Sequence, residues 1–208
     1  LQPDETDFVL FLGAYIGPGP DSKGTVDFLL EQKAKFPSTF HFLSGCYERL
    51  FKNLLLTQGK DRGLSDFWQR SGGVRILSSY NGGGLKWADV GTGVQRIRME
   101  IAIPEPHIKF IEGGTFLYYK DADLPFMACH AGVHPERHED MKPEDVLFLA
   151  ADWWKGDWRL PGLDVVFGHT SFVAPLVKPG KIGIDLGCGL GGSLCAVEMF
   201  TRKFTIVS

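Results

Sequence analysis

The sequence predicts an α/β domain with strands in two layers and helices outside them. Three observations carry that prediction: a strand–helix–strand unit opens the chain, helical periodicity dominates its middle, and short apolar strands recur through its second half.

The opening unit is the clearest. Phe8–Gly13 is a short apolar run that breaks at a glycine, and Gly17–Ser22 (GPGPDS) is a turn in which Asp21 or Ser22 can cap a helix. Val26, Leu29, Leu30 and Ala34 then recur at helical spacing until Phe36-Pro37 ends the helix. Thr39–Leu43 is β-rich and stops at Ser44-Gly45. A right-handed crossover between parallel strands follows, and sites in such units form where strands end, here at Gly13–Pro20 and Gly45–Glu48.

Further along, Tyr47–Leu56 reads as helix, and Leu64–Tyr80 reads as helix broken at Ser71-Gly72-Gly73. Asn81–Gly84 and Gly91–Gly93 are flexible punctuation, and Leu85–Arg98 carries no assignment. Strands are expected at Thr115–Lys120, Pro125–Cys129, Asp164–Phe167, Lys181–Leu186, Ser193–Met199 and Lys203–Val207. One helix, Glu144–Trp154, lies among them, started by Pro143-Glu144-Asp145.

The composition sets limits. The 208 residues suit a single domain with a substantial core, and 44% hydrophobic with 23% charged residues is ordinary for a globular chain. A net charge of -3 gives no reason to expect nucleic acid or an anionic membrane as partner. Apolar runs such as Phe8–Leu12 are far too short to span a bilayer. Cys46, Cys129, Cys188 and Cys195 show neither a disulfide framework nor metal-knuckle spacing, which points to a reducing compartment, cytosol or organelle interior.

Phe11–Leu30 (FLGAYIGPGPDSKGTVDFLL), Phe42–Phe51 (FLSGCYERLF), Met127–Pro135 (MACHAGVHP) and Val166–Thr170 (VFGHT) resemble, in order and spacing, the calcineurin-like metallophosphatases of the PPP type. The branch most similar contains the bis(5′-nucleosyl)-tetraphosphatases and related serine/threonine phosphatases; Lys181–Val207 resembles its ending. The resemblance covers nearly the whole chain. It implies a sandwich of two mixed β-sheets flanked by α-helices, spanning residues 1–208 as one domain, with the first strand and its GDxHG segment missing.

The family's chemistry rests on two divalent ions that activate a water and hold phosphoryl oxygens. Carried onto this sequence, the resemblance implies that its working residues are gone. The metal-bridging Asp of GDxxDRG falls on Ala14, its second Asp on Gly17 and its phosphate-binding Arg on Pro18. In GNHE the metal-binding Asn falls on Cys46 and the catalytic His on Tyr47, while Glu48 is kept; a later phosphate arginine aligns with Ala150. His130 and His169 remain as vestigial ligands. Without a bridge, an acid or arginines, catalysis by the family route is not expected, since losing one strong electrostatic element already costs about a hundredfold or more in rate. No catalytic residue and no cofactor are therefore expected.

Alternatives attach to individual residues. Cys46, His130 and His169 form a possible zinc triad through the family geometry, against the plainer reading of core histidines bonded to backbone. Cys46 as a nucleophile is disfavoured, because Tyr47 and Glu48 are poor activators, and the other cysteines are expected in the core. His134 and His138 are expected in a solvated loop at Pro135, Trp153 in the core, and Gly189–Ser193 in a sheet-edge turn.

The expected function is that of a pseudophosphatase, a structural or regulatory subunit of a larger assembly. One rival is a metal-dependent phosphoesterase of proteins or dinucleoside polyphosphates; another is a zinc- or nucleotide-binding module using the vestigial cleft. The expected partner is a protein, with a strand that pairs with the edge near Phe8–Leu12.

Overall fold

A computed structural model describes residues 3–57, 61–80, 103–113, 118–121, 123–148 and 152–208. The fold is mixed α/β, with helices concentrated in the first half and strands in the second, as the sequence predicts. The positions of Ala150, of Leu85–Arg98 and of the glycine-rich stretches at 81–84 and 91–93 lie outside the described residues.

Strand β1 (Val9–Phe11) and strand β2 (Phe40–Phe42) form a two-stranded sheet around helix α1 (Ser22–Lys35). The Val9 N–H donates to Thr39 O and the Leu43 N–H to Phe11 O, both at 2.9 Å, so the pairing advances in the same direction on both strands. Asp21 caps α1 by accepting the Gly24 N–H at 2.8 Å.

By its internal contacts the chain divides into two compact units. The described parts of Leu1–Leu10, Ala14–His41 and Tyr47–Gly114 make the first. Besides α1 it holds α2 (Cys46–Thr57, from its second residue), α3 (Arg62–Arg70), α4 (Gly73–Tyr80) and α5 (Glu105–Glu112). The expected break separates α3 from α4 at Ser71-Gly72, where Gly72 takes φ 89°. Helix α5, which follows Pro104, has no counterpart among the sequence expectations. The apolar faces of these helices close on Ile16, Val26, Leu50, Phe51, Leu54, Trp68, Ile76, Leu77 and Ile111.

The second unit takes Phe11–Gly13, Phe42–Cys46 and the described residues of Thr115–Ser208. Its centre is a five-stranded mixed sheet built from β3 (Tyr118–Lys120), β4 (Phe126–Cys129), β5 (Asp164–Phe167), β6 (Leu176–Lys178) and β7 (Lys181–Gly183), in the order β3-β4-β5-β7-β6. Strands β4, β5 and β7 run parallel, with β3 and β6 antiparallel at the edges. Strands β4 and β5 are largely apolar and buried, as parallel strands usually are, and β7 buries Lys181 beside them. Strands β8 (Leu194–Glu198) and β9 (Lys203–Val207) form a separate antiparallel hairpin.

Two expectations need correction. The helix read over Glu144–Trp154 is two shorter ones, α6 (Pro143–Leu147) and α7 (Asp152–Lys155). Phe148 ends α6 with φ -130°, a conformation outside the helix. The run expected from Lys181 to Leu186 pairs as a strand only to Gly183, and β6 appears beside it at Leu176–Lys178.

Candidate functional site

In the first unit, the turn after β1 is held by a buried carboxylate. Glu48, 1% exposed, accepts the N–H of Ala14 at 2.9 Å on one oxygen and the N–H of Ile16 at 3.0 Å on the other. Ala14 sits at φ 60°, a left-handed conformation that costs a residue with a Cβ about 1–2 kcal/mol. The methyl group of Ala14 offers no ligand atom.

Gly17, Pro18 and Tyr47 are brought together, and they pack. A Cβ on Gly17 would lie 3.6 Å from Cδ2 of Tyr47, so the ring lies against this bare position. The Tyr47 hydroxyl donates to Ser71 O at 2.7 Å. Pro18 accepts a bond from Arg75 Nη1 at 2.9 Å through its carbonyl, and a Cβ on Gly72 would meet Pro18 Cβ at 2.9 Å. Gly17, Pro18 and Tyr47 thus hold a turn against the start of α4.

In the second unit, Cys46, His130 and His169 converge. Each presents one ligand atom, and these three atoms lie within 4.8 Å of one another. His130 directly follows β4, His169 lies two residues past β5, and Cys46 opens α2 shortly after β2. All three stand beyond the carboxyl ends of strands, where α/β folds gather their sites. Close backbone approach helps place them: a Cβ on Gly13, at φ 95°, would be 2.6 Å from both N and Cα of Gly45.

His130 is 2% exposed. Its Nδ1 lies 2.7 Å from Leu12 O, and since a carbonyl only accepts, Nδ1 carries the proton. The lone pair is therefore on Nε2, which is buried and has no hydrogen-bond partner. Burial, with the neighbouring His169, pushes the His130 pKa down to about 3, so the ring is neutral. Its ring centroid is 5.1 Å from that of His169, and the Gly168 N–H donates to His130 O at 2.8 Å. His169 adopts φ 64°, a left-handed conformation that histidine visits more readily than most residues. Burial lowers the His169 pKa, and the Asp185 carboxylate pulls the other way.

The remaining candidates settle individually. His134 Nδ1 accepts the Glu136 N–H at 3.2 Å and His138 Nδ1 bonds Pro135 O at 2.8 Å, so both serve the local loop. Trp153 is buried and donates to Ala131 O at 3.1 Å, while Trp154 and Trp158 are partly buried against the same core. Cys129 and Cys195 are buried thiols, but Cys188, expected in the core, is exposed. It lies in a 3-10 turn flanked by Gly187 and Gly191, both left-handed, and this glycine-rich turn carries the chain outward into β8. Sequence reasoning missed Leu12, whose carbonyl orients His130. No residue type announces that role, because a backbone oxygen does it.

No protein-family model matches the sequence, and no curated protein matches it. Among solved structures, the chain is similar to one described as "Crystal structure of a putative diadenosine tetraphosphatase", with TM-score 0.61 and 21% identity. The match covers 97% of this chain and 80% of that one. At that identity the likeness shows a shared fold, in keeping with the one expected from the motifs.

That fold class implies two metal ions, and the donors aligned with its ligands can be tested against such a pair. In the family that the motifs resemble, an aspartate bridges the two ions. The position that the resemblance assigns to it, 14, offers a methyl group, so the residues so aligned do not supply that bridge. Among the described residues, the one cluster of three donors suited to an ion is Cys46, His130 and His169.

Proposed function

We propose that this chain is a non-catalytic metallophosphatase-like protein that acts by binding, as a structural or regulatory subunit of an assembly. The reading includes the two-sheet sandwich of that fold class, with the five-stranded sheet as one layer. Support comes chiefly from Tyr47, which aligns with the catalytic histidine. Its hydroxyl is bonded to Ser71 O at 2.7 Å and its ring lies against Gly17. At that spacing positions 17 and 47 form a packed glycine–tyrosine contact, in place of the carboxylate–imidazole pair that the resemblance implies for a catalytic member. A tyrosine hydroxyl, with an ordinary pKa near 10, is a poor acid for a leaving alkoxide when its proton is already donated to a carbonyl.

The assay uses purified chain with manganese and either p-nitrophenyl phosphate or diadenosine tetraphosphate. Expected is hydrolysis no faster than buffer. Turnover that survives purification and disappears in His130→Ala would overturn the reading.

A further inference from the structure

We propose that Cys46, His130 and His169 bind a single zinc ion, in place of the two-metal centre that the fold class implies and whose bridge the aligned residues do not supply. Four observations in the second unit carry this. First, the three ligand atoms already lie within 4.8 Å of one another. Tetrahedral zinc with one sulfur and two nitrogens needs ligand atoms about 3.4–3.6 Å apart, so side-chain adjustments of about 1 Å close the site.

Second, His130 Nε2 is a buried acceptor without a partner. Such atoms are rare in folded proteins, and an ion would satisfy this one. Third, the Nδ1–H of the same ring is bound to Leu12 O at 2.7 Å. Zinc-ligating histidines are held in this way, with the far nitrogen donating to a carbonyl so that the near one faces the metal. Fourth, Cys46 is the first residue of α2, where the positive end of the helix dipole favours the thiolate that a metal requires.

The donor set narrows the metal to one that accepts sulfur and nitrogen. One thiolate and two imidazoles suit zinc, whereas magnesium and manganese prefer oxygen ligands. Three protein ligands leave one tetrahedral position for water or an exogenous anion. Such an ion would tie together the ends of β2, β4 and β5.

The test is metal analysis of purified chain loaded with zinc and then desalted, together with cobalt substitution. Expected are about one zinc per chain and a cobalt spectrum with a thiolate charge-transfer band. Cys46→Ser should abolish that band and weaken zinc binding more than about tenfold, and Cys188→Ser, at the exposed thiol, should change neither. His169→Gln, with folding checked by circular dichroism, gives a second route to the same loss. Metal-free wild-type chain, a cobalt spectrum without the thiolate band, or two ions per chain would each overturn the proposal. Phosphatase activity of the zinc-loaded preparation is read separately. Hydrolysis would sink the non-catalytic reading and leave the zinc site standing, while metal-free inactive chain would do the reverse.

Discussion

Glu48 spans the turn after β1 by holding the N–H groups of Ala14 and Ile16, one on each carboxylate oxygen. The Ile16 donor would otherwise be stranded, since Ile16 is fully buried. Glu48→Gln keeps the shape but turns one acceptor into a donor facing an N–H. The cost expected is about 1–3 kcal/mol, read as a lower urea midpoint with unchanged slope. An unchanged midpoint would show that the turn does not depend on this carboxylate.

The close approach of Gly13 to Gly45 gives a second expectation. At Gly13 a methyl group meets backbone at 2.6 Å and sits at φ 95°, so neither a rotamer change nor local relaxation accommodates it. Gly162 also has positive φ, 72°, but nothing lies within 4 Å of a Cβ there. Gly162→Ala should therefore lose only the left-handed strain, about 1–2 kcal/mol. Gly13→Ala should lose clearly more and displace Cys46. Equal melting temperatures for the two variants would contradict the packing described here.

Local signals and long-range ones were not equally readable. Helix α1 was legible because a cap, a periodic apolar stripe and a terminating Phe36-Pro37 all agree. Strand β6 was not, because Pro175 and Pro179 bracket a run of three residues whose pairing with β7 only the tertiary fold reveals. Cys46, His130 and His169 have no motif spacing and could be joined only through the family resemblance. The orphaned Nε2 of His130, which favours a metal over a core histidine bonded at both nitrogens, depends on what surrounds the ring and has no sequence signature.

Asp145 offers a pH-dependent expectation. It is 2% exposed and accepts from Arg137 Nε at 2.9 and 3.1 Å, from Arg137 Nη2, and from the Lys142 N–H at 2.9 Å. The Arg137 hydrogen bonds lower its pKa from 3.8 to about 2. A carboxyl depressed in the folded state contributes stability that is complete above about pH 4 and is lost as pH falls toward 2. Arg137 is half-exposed, so solvent screening trims the gain. Arg137→Met should destabilise by about 1–3 kcal/mol at neutral pH and flatten the stability profile between pH 4 and 2. A parallel profile, merely shifted, would mean that the pair does not set the acid response.

Two buried tryptophans provide the last expectation, because they differ in what their indole N–H groups do. Trp153 donates to Ala131 O at 3.1 Å, and Lys181 Nζ stands 5.3 Å from its ring centroid. Trp68 is fully buried against Phe51, at 5.4 Å between ring centroids, yet its Nε1 has no hydrogen-bond partner. Replacing either by Phe removes a similar amount of apolar contact and leaves a similar cavity. At position 68 the substitution also removes an unsatisfied buried donor, which offsets part of that loss. At position 153 it instead strands the Ala131 carbonyl and weakens the contact with the Lys181 ammonium. Trp153→Phe should therefore cost more than Trp68→Phe by about 1 kcal/mol, measured by chemical denaturation of both variants under identical conditions. The opposite ranking would mean that ring volume, rather than the fate of the N–H, governs these two cores.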